Sequence, residues 1–237
     1  MRRFSVKILA AFLSVLMSSG ICAAPVPFTR TESDGEVFSW VSNDSKMIAL
    51  TFDDGPHPEY TEKILDVLQK YDVRATFFVI GENAEKRPEL IRKIAAGGHE
   101  IGNHTFDHKS LRKKNGDEIE EEIERTENAV FEAAGCRPTV LRPPEGKYSE
   151  KVVMAAEKLG YSVVLWSVDT KDWAHRPADA ICRTVLGNVT SGDIILCHDF
   201  ISGESHTAEA LAAVIPKLLH EGYTFVTVSE LISLWGK

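Results

Sequence analysis

Residues 47–56 read MIALTFDDGP, a strand-like run that ends in two adjacent aspartates, a glycine and a proline. Apolar and β-branched side chains fill residues 47–52, so we expect a buried strand there. Residues 53–56 have the composition of the turn that follows it. Further strand patterns come after this one and alternate with helical patterns. That alternation predicts an α/β fold with a parallel sheet.

The full set of patterns covers most of the chain beyond residue 46. Strand patterns lie at 47–52, 75–80, 99–103, 139–142, 162–168, 193–197 and 224–228. Helical patterns lie at 61–71, 88–96, 117–134, 149–159, 177–188 and 207–220. Periodicity leaves open whether the sheet is doubly wound or closes into a barrel of about seven or eight units. In both architectures, functional groups stand at the C-terminal ends of the strands.

Composition limits the class of protein and of partner. The chain has 237 residues, of which 43% are hydrophobic and 26% charged, and this excludes a disordered or fibrous chain. The net charge of −8 and the lack of a basic stripe argue against nucleic acid and anionic membrane as partners. The length suits one domain with short additions.

The N-terminal segment has the layout of a secretory signal peptide. Basic residues precede an apolar run at 8–17, which is too short to span a bilayer comfortably, and small residues follow up to Ala24. We predict that residues 1–24 are a signal peptide cleaved near Ala24, with an uncleaved anchor as the alternative. Residues 25–45 are polar and predict an N-terminal arm or linker, and residues 46–237 form the main domain.

Three cysteines remain after this cleavage: Cys136, Cys182 and Cys197. They are too few and too irregularly spaced for a disulfide framework. One bridge, such as Cys136 to Cys182, is left open. Cys197 lies inside an apolar strand pattern and is predicted to be a buried thiol.

Side chains capable of chemistry follow five of the predicted strands. Because the C-terminal ends of parallel strands share one edge, we expect these groups to gather there. They are Asp53 and Asp54, His104 and His108, Arg142 and Glu145, Asp172 and Trp173, and His198.

A divalent metal is the simplest reason for such a gathering. On a helical turn, side chains four residues apart face the same way, so His104 and His108 could reach one ion. Asp53 and Asp54 offer a third ligand, and two adjacent buried carboxylates would repel each other without a cation. Taken alone, the histidines fit a surface helix and the aspartates a solvated turn. An iron oxygenase triad is a further alternative, which the α/β pattern and the second aspartate disfavour.

The order and spacing of these residues resemble those of the polysaccharide deacetylases, the NodB-like family 4 of carbohydrate esterases. The resemblance covers about residues 46 to 232 and points to the bacterial peptidoglycan N-acetylglucosamine deacetylases. It implies a distorted (β/α) barrel of about seven strands and makes 46–237 a catalytic domain. The motifs that carry it are Thr51-Phe52-Asp53-Asp54-Gly55-Pro56, His104-x-x-x-His108, Arg142-Pro143-Pro144, Asp172-Trp173 and Leu196-x-His198.

The resemblance implies a role for each catalytic and metal-binding position. The metal ligands would be Asp54, His104 and His108. The metal would be Zn²⁺, with Co²⁺ or Mn²⁺ as alternatives. Asp53 would be the catalytic base and His198 the catalytic acid.

The same resemblance implies roles for the residues around this centre. Arg142 would orient the base, and Asp172 would tune the acid. Trp173 and Leu196 would form the pocket for the acetyl methyl group. The residue after Pro144 normally offers its backbone N–H to the oxyanion and is usually aromatic. Here it is Glu145, which keeps the N–H but removes an aromatic wall, so the substrate preference stays open.

These expectations combine into an exported, metal-dependent N-deacetylase. It would release acetate from N-acetylglucosamine units of peptidoglycan or a chitin-like glycan, outside the cell or in the cell wall, as a monomer. One alternative is an O-acetyl esterase acting on xylan or a related polysaccharide. Another is a catalytically decayed glycan-binding wall protein, for which Glu145 is the only support.

Overall fold

The computed structural model describes residues 37–235. The predicted signal peptide and residues 25–36 of the predicted arm lie outside the described residues. The rest of that arm contacts the sheet: Val37–Phe38 pairs in parallel with Val163 and Val164, and Trp40 forms an antiparallel bridge with Asp193. Residues 37–41 therefore pack onto the domain that follows them.

Within residues 37–235, nine strands form one sheet, and every strand pairing is parallel. The strands are β1 (Val37–Phe38), β2 (Met47–Asp53), β3 (Thr76–Val79), β4 (Glu100–Asn103), β5 (Val140–Leu141), β6 (Ser162–Val164), β7 (Val168–Asp169), β8 (Ile194–His198) and β9 (Thr224–Val226). Their order is β1-β6-β5-β4-β3-β2-β8-β7, and β9 pairs with the beginning of β2.

The helices follow the strands as the alternating sequence pattern predicts. Among the described residues, none has the length and apolar character needed to cross a membrane. The helices are α1 (Tyr60–Lys70), α2 (Gly81–Lys86), α3 (Pro88–Ala96), α4 (Gly116–Ala134), α5 (Glu150–Lys158), α6 (Ala178–Asn188), α7 (Thr207–His220) and α8 (Val228–Ile232). The helices α2 and α8 are too short for a periodic pattern, and the sequence did not predict them.

The side chains of β2 alternate between two apolar clusters. Ile48, Leu50 and Phe52 pack in a cluster between the sheet and the helices. Ala49 belongs to a second cluster with residues of β3, β5, β6 and β8 that face the barrel interior. Since successive side chains of a strand point to opposite faces, Asp53 faces the interior as well. The strand thus delivers a carboxylate to the C-terminal rim of the barrel.

The stretch predicted as one strand at 162–168 is divided into β6 and β7. β6 pairs with β5, whereas β7 pairs with β8. This one stretch therefore contacts strands from opposite ends of the sheet order, and the sheet curves into a distorted (β/α) barrel. The resemblance implied this architecture, and the doubly wound alternative is excluded.

No disulfide joins the described cysteines, so the bridge left open between Cys136 and Cys182 does not form. Cys182 lies on α6 and its thiol donates a hydrogen bond to the carbonyl of Ala210 at 3.4 Å. Cys197 is fully buried in β8, as predicted.

Candidate active site

Two neighbouring strands bring a carboxylate and an imidazole to the same rim. In the ladder between β2 and β8, Asp53 lies directly opposite His198. Both side chains point into the barrel, because partners in a parallel ladder project from the same face. Asp53 is buried, and the side chain of His198 is 12% exposed at the rim.

A second group of side chains at the rim converges on one point. One ligand atom from each of Asp54, His104 and His108 lies within 4.8 Å of the other two. Asp54 Oδ1 is 3.3 Å from His104 Nε2 and 3.2 Å from His108 Nε2. Two imidazoles and one carboxylate are a common ligand set of catalytic zinc sites, which keep further positions open.

The electrostatics of this group fit a bound cation. Asp54 Oδ1 is buried and makes no hydrogen bond within the described residues. Burial lowers the pKa of His104, but the carboxylates of Asp53 and Asp54 outweigh it and raise the pKa, so the pocket favours positive charge. Burial and the neighbouring His104 lower the pKa of His108, which keeps its nitrogen available as a ligand. The residues therefore fit a divalent metal ion.

A backbone carbonyl fixes the orientation of one imidazole. His104 Nδ1 lies 2.7 Å from the carbonyl oxygen of Arg142 and must donate to it, because that oxygen only accepts. Nε2 is thereby turned toward Asp54. A ligating histidine whose second nitrogen bonds a carbonyl is typical of metal sites.

The backbone conformation that brings the two histidines together differs from the expected one. The sequence spacing suggested a helical turn, but residues 104–108 form an irregular loop. Thr105 and His108 have φ angles of 66° and 57°, in the left-handed region that non-glycine residues seldom adopt. Asp54, with a φ of 75°, shares this property. The prediction that the imidazoles lie together is confirmed, but its helical reason is wrong.

Arg142 holds the buried carboxylate of Asp53. Arg142 Nη1 donates to Asp53 Oδ1 at 2.7 Å and to Thr51 Oγ1 at 2.8 Å, and Nη2 donates to the carbonyl of Leu165 at 2.8 Å. The guanidinium carbon also lies 4.0 Å from the ring centre of Phe78. Burial lowers the pKa of Arg142, and the charge of Asp53 opposes that shift. One oxygen of Asp53 is thus fixed, and its other oxygen, Oδ2, lies 3.8 Å from His104 Nε2.

Asp172 holds the imidazole of His198 in a similar way. His198 Nδ1 and Asp172 Oδ1 are 2.7 Å apart, and Oδ2 accepts the backbone N–H of His198 and the hydroxyl of Thr207, both at 2.8 Å. Burial lowers the pKa of His198, but the bond to Asp172 and the nearby carboxylates raise it to about 9. The imidazole is therefore protonated at neutral pH, with Nε2 directed away from Asp172.

Comparison with known proteins gives this arrangement a family. The sequence profile of the polysaccharide deacetylases matches residues 41–164. A peptidoglycan-N-acetylglucosamine deacetylase of Bacillus cereus is 42% identical over 203 residues, which span 85% of this chain and 95% of the relative. The chain belongs to the polysaccharide deacetylase family. It is a hydrolase of carbon–nitrogen bonds other than peptide bonds.

Solved structures of related enzymes have the same fold. The crystal structure of a peptidoglycan N-acetylglucosamine deacetylase has a TM-score of 0.79 at 42% identity, over 84% of this deacetylase and 92% of that chain. A family 4 acetyl xylan esterase from Clostridium thermocellum was solved with a cobalt ion. It has a TM-score of 0.74 at 35% identity, over 80% of this deacetylase and 91% of that chain.

The residues predicted to line the substrate pocket differ in exposure. Leu196 is buried two residues before His198 on β8 and faces the same side. Trp173 is 52% exposed and follows Asp172 at the rim. Pro144 is buried, whereas the side chain of Glu145 is exposed and forms an ion pair with Lys147. Glu145 has a φ of 57° and follows β5 at the C-terminal rim, where the residues that could bind a metal also lie.

Sequence reasoning gave no role to two buried carboxylates next to the site of this deacetylase. Asp199 Oδ2 accepts the hydroxyl of Thr61 at 2.6 Å, and its carboxylate lies against Gly55, where a β-carbon would be 2.1 Å from Oδ2. Burial raises the pKa of Asp199 to about 7. Glu122, on α4, lies among acidic residues whose composition is typical of a solvated helix face. Its position three residues after Ile119 and four before Thr126, on the buried stripe of that helix, was the available signal.

Proposed function

We propose that this protein is a secreted, metal-dependent N-deacetylase of N-acetylglucosamine units in peptidoglycan or a chitin-like glycan. The observation that carries the proposal is the convergence of Asp54, His104 and His108, whose ligand atoms lie within 4.8 Å of one another beside the Asp53–His198 pair. The relatives of this chain include peptidoglycan-N-acetylglucosamine deacetylases and chitooligosaccharide deacetylases, which supports the substrate class.

Asp54, His104 and His108 would hold the metal, which we propose is Zn²⁺, with Co²⁺ or Mn²⁺ as alternatives. When bound, a divalent cation would lower the pKa of a water molecule and polarise the acetyl carbonyl. This help matters because an acetamide is a weak electrophile with a poor leaving group.

Asp53 would take the proton from the attacking water as the new carbon–oxygen bond forms. Its position suits this task, because Oδ1 is fixed by Arg142 while Oδ2 lies 3.8 Å from His104 Nε2, on the side of the metal ligands. The backbone N–H of Glu145 and the walls formed by Pro144, Trp173 and Leu196 would bind the acetyl group. A hydrogen-bond donor at the oxyanion is worth roughly 3–4 kcal/mol in such reactions.

His198 would give its proton to the amide nitrogen as the carbon–nitrogen bond breaks. A protonated imidazole is needed, and the carboxylate of Asp172 at 2.7 Å from Nδ1 keeps it in that state. The products are acetate and the free amine of the sugar. The water supplies the hydroxyl group of the acetic acid. Asp53 gains one proton from the water, and His198 loses one proton to the amine.

Location and partners follow from the same proposal. The signal-peptide pattern over residues 1–24 predicts export, and the related enzymes act on a cell-wall polymer according to their names. We therefore expect a secreted or cell-wall-associated monomer whose partner is an N-acetylglucosamine-containing glycan, with no nucleic acid or membrane as partner once the signal peptide is removed.

An O-acetyl esterase is the second candidate, because one solved relative is an acetyl xylan esterase. The leaving group of an ester is an alkoxide or alcohol, and its departure depends less on a proton donor than the departure of an amine does. The intact set of Asp53, Asp54, His104, His108 and His198 disfavours the decayed glycan-binding protein.

One assay tests the proposal directly. Acetate release is measured from peptidoglycan, chitooligosaccharides and acetylxylan side by side, with and without a chelator. We expect release from the first two substrates, loss of release with the chelator and recovery with added Zn²⁺. Release from acetylxylan alone would favour the esterase, and release that the chelator does not affect would contradict metal dependence.

A further inference from the structure

A carboxylate from α4 binds the loop of residues 104–108, which joins the two candidate histidine ligands and is called the ligand loop below. Glu122 Oε2 accepts the backbone N–H of Phe106 at 3.0 Å and that of Asp107 at 3.3 Å. Both donors lie between His104 and His108 in the sequence. Glu122 is 5% exposed, so water competes little for these bonds, and hydrogen bonds to a buried charge are stronger than neutral ones.

The rest of Glu122 is also tied into the structure. Its other oxygen, Oε1, forms an ion pair of 2.9 Å with Lys114 Nζ, which compensates the buried charge. The next residue of the helix, Ile123, accepts the side-chain amide of Asn103 through its carbonyl at 2.9 Å, and Asn103 Oδ1 accepts the N–H of Thr105 at 2.9 Å. One turn of α4 therefore binds the beginning and the middle of the loop.

The carbonyls of the same loop are held by a different helix. The N–H groups of Gly81 and Glu82, at the beginning of α2, donate to the carbonyls of Thr105 and Phe106 at 3.0 and 2.9 Å. Glu122 thus accepts the N–H groups of Phe106 and Asp107, while α2 donates to carbonyls of the same loop. Removal of the Glu122 carboxylate should loosen the loop without releasing it.

The loop needs such support because its backbone is strained. Thr105 and His108 both have positive φ angles, which side chains with a β-carbon disfavour. The imidazole of His104 is fixed separately by the carbonyl of Arg142. A loop that relaxed would therefore displace mainly His108, whose side chain is 35% exposed at the rim.

We propose that Glu122 is a positioning residue that sets the affinity of the site for a divalent cation by placing His108. The inference rests on the metal site of the proposed function and adds to it a residue outside the family motifs. Glu122 touches neither metal nor substrate, and it acts through the hydrogen bonds that shape the ligand loop.

The dissociation constant for Zn²⁺ tests this proposal, measured by competition with a chromophoric chelator on the purified full chain. Glu122→Gln keeps the shape but turns an amide N–H₂ toward either Lys114 or the loop's donors. We expect Zn²⁺ binding to weaken about 10–100-fold, the usual effect of losing a group that supports a metal ligand. Glu121→Gln, an exposed neighbour on the same helix, should stay within about twofold of the unmodified protein. An equal constant for Glu122→Gln and the unmodified protein would overturn the proposal.

A double variant separates positioning from general loss of stability. His108→Ala removes the ligand that Glu122 is proposed to place, so Glu122→Gln should weaken Zn²⁺ binding little further in that background. The same fold-loss in both backgrounds would overturn the proposal, because the effect would not pass through His108. Thermal unfolding of the metal-free variants shows whether they are folded.

Hydrogen exchange on the unmodified, metal-free protein needs no variant. The amide protons of Phe106 and Asp107 should exchange slowly, because Glu122 accepts them in a buried site. Exchange at the rate of an open loop would overturn the proposal even if Glu122→Gln fails to fold. Equal Zn²⁺ binding by the unmodified protein and His104→Ala is a distinct result, which removes the metal site of the proposed function itself and this proposal with it.

Discussion

Asp172 binds both the side chain and the backbone of His198. Its Oδ1 lies 2.7 Å from the imidazole Nδ1, and its Oδ2 accepts the N–H of the same residue at 2.8 Å. One carboxylate therefore fixes the position, orientation and charge of the imidazole together. The pKa of His198 is raised to about 9 by this partner and the nearby carboxylates, against the effect of burial.

The pH dependence of the rate of acetate release should reflect the protonation of His198 next to Asp172. The acid acts only when protonated, so the rate should stay level at neutral pH and fall as the pH rises through about 9. Asp172→Asn removes the largest of the charge effects that raise the pKa of His198, so burial is opposed only by Asp53 and Asp54, and the alkaline limb should move down by about 1–3 pH units. Rates of acetate release from chitooligosaccharides between pH 5 and 10 give the comparison. An unmoved limb would contradict the assignment of His198.

Loss of the acid should affect amides more than activated esters. An amine must be protonated to leave, whereas a nitrophenolate leaves without a proton. His198→Ala should slow acetamide hydrolysis about 10²–10⁴-fold and slow hydrolysis of an aryl acetate by less than about tenfold. Both rates are measured on one preparation with Zn²⁺ in excess. Equal losses on the two substrates would show that His198 is not the proton donor.

Removal of a metal ligand should abolish binding and leave the fold. His104→Ala takes one of three ligands and should lower both Zn²⁺ content and acetate release to background. Metal analysis after gel filtration and far-ultraviolet circular dichroism make the two measurements. His220→Ala, an exposed histidine at the end of α7, is the matched control and should keep Zn²⁺ and rate. A fully metallated and active His104→Ala protein would show that the ligand set is wrong.

The role of Asp53 as the base should be separable from Zn²⁺ binding. Asp53→Asn keeps the shape and a hydrogen-bonding oxygen for Arg142 but cannot take a proton, so we expect Zn²⁺ to bind and turnover to fall about 10²–10⁴-fold. The exposed Asp66→Asn on α1 serves as the control. Turnover of Asp53→Asn close to that of the control would remove Asp53 from the mechanism.

A stability experiment tests the packing under the metal-binding turn. A β-carbon on Gly55 would lie 2.1 Å from Asp199 Oδ2, and Asp199 is buried and bonded to Thr61, so it has little room to move. Gly55→Ala should reduce the free energy of unfolding by about 1–3 kcal/mol in denaturant melts of the metal-free protein. Gly116→Ala, with nothing within 4 Å of the added carbon, should have little effect. Equal stability of both variants would contradict this packing.

The parallel α/β class and the gathering of functional groups could be read from the sequence because both follow from local periodicity, whereas the barrel was implied only by the family resemblance. A strand that ends at Asp53 or His198 places its last side chain at a rim shared by every parallel strand. The division between β6 and β7 could not be predicted in this way, because it accompanies a contact between separate parts of the chain. The carbonyls of Val164 and Leu165, where the strand is interrupted, accept hydrogen bonds from the guanidinium of Arg142.

The conformation of the ligand loop and the role of Glu122 could not be predicted from the sequence for a related reason. The spacing of His104 and His108 suits a helix, and only packing against α2 and α4 stabilises the left-handed residues that replace it. Glu122 lies among acidic residues that face solvent, and composition alone cannot distinguish it from them. Its place on the buried stripe of α4 was visible, but the atoms that it binds were not.

The register between β2 and β8 also has a consequence for specificity. Asp53 and His198 are neighbours in a backbone ladder, so the backbone positions that carry the proton acceptor and the proton donor are held at the interstrand spacing of about 4.8 Å. The exposed residues at the entrance, Trp173 and Glu145, sit on turns outside that ladder. Substitution of the Glu145 side chain, which leaves its backbone N–H in place, should therefore change which sugar chain is admitted and leave the bond-breaking geometry as it is.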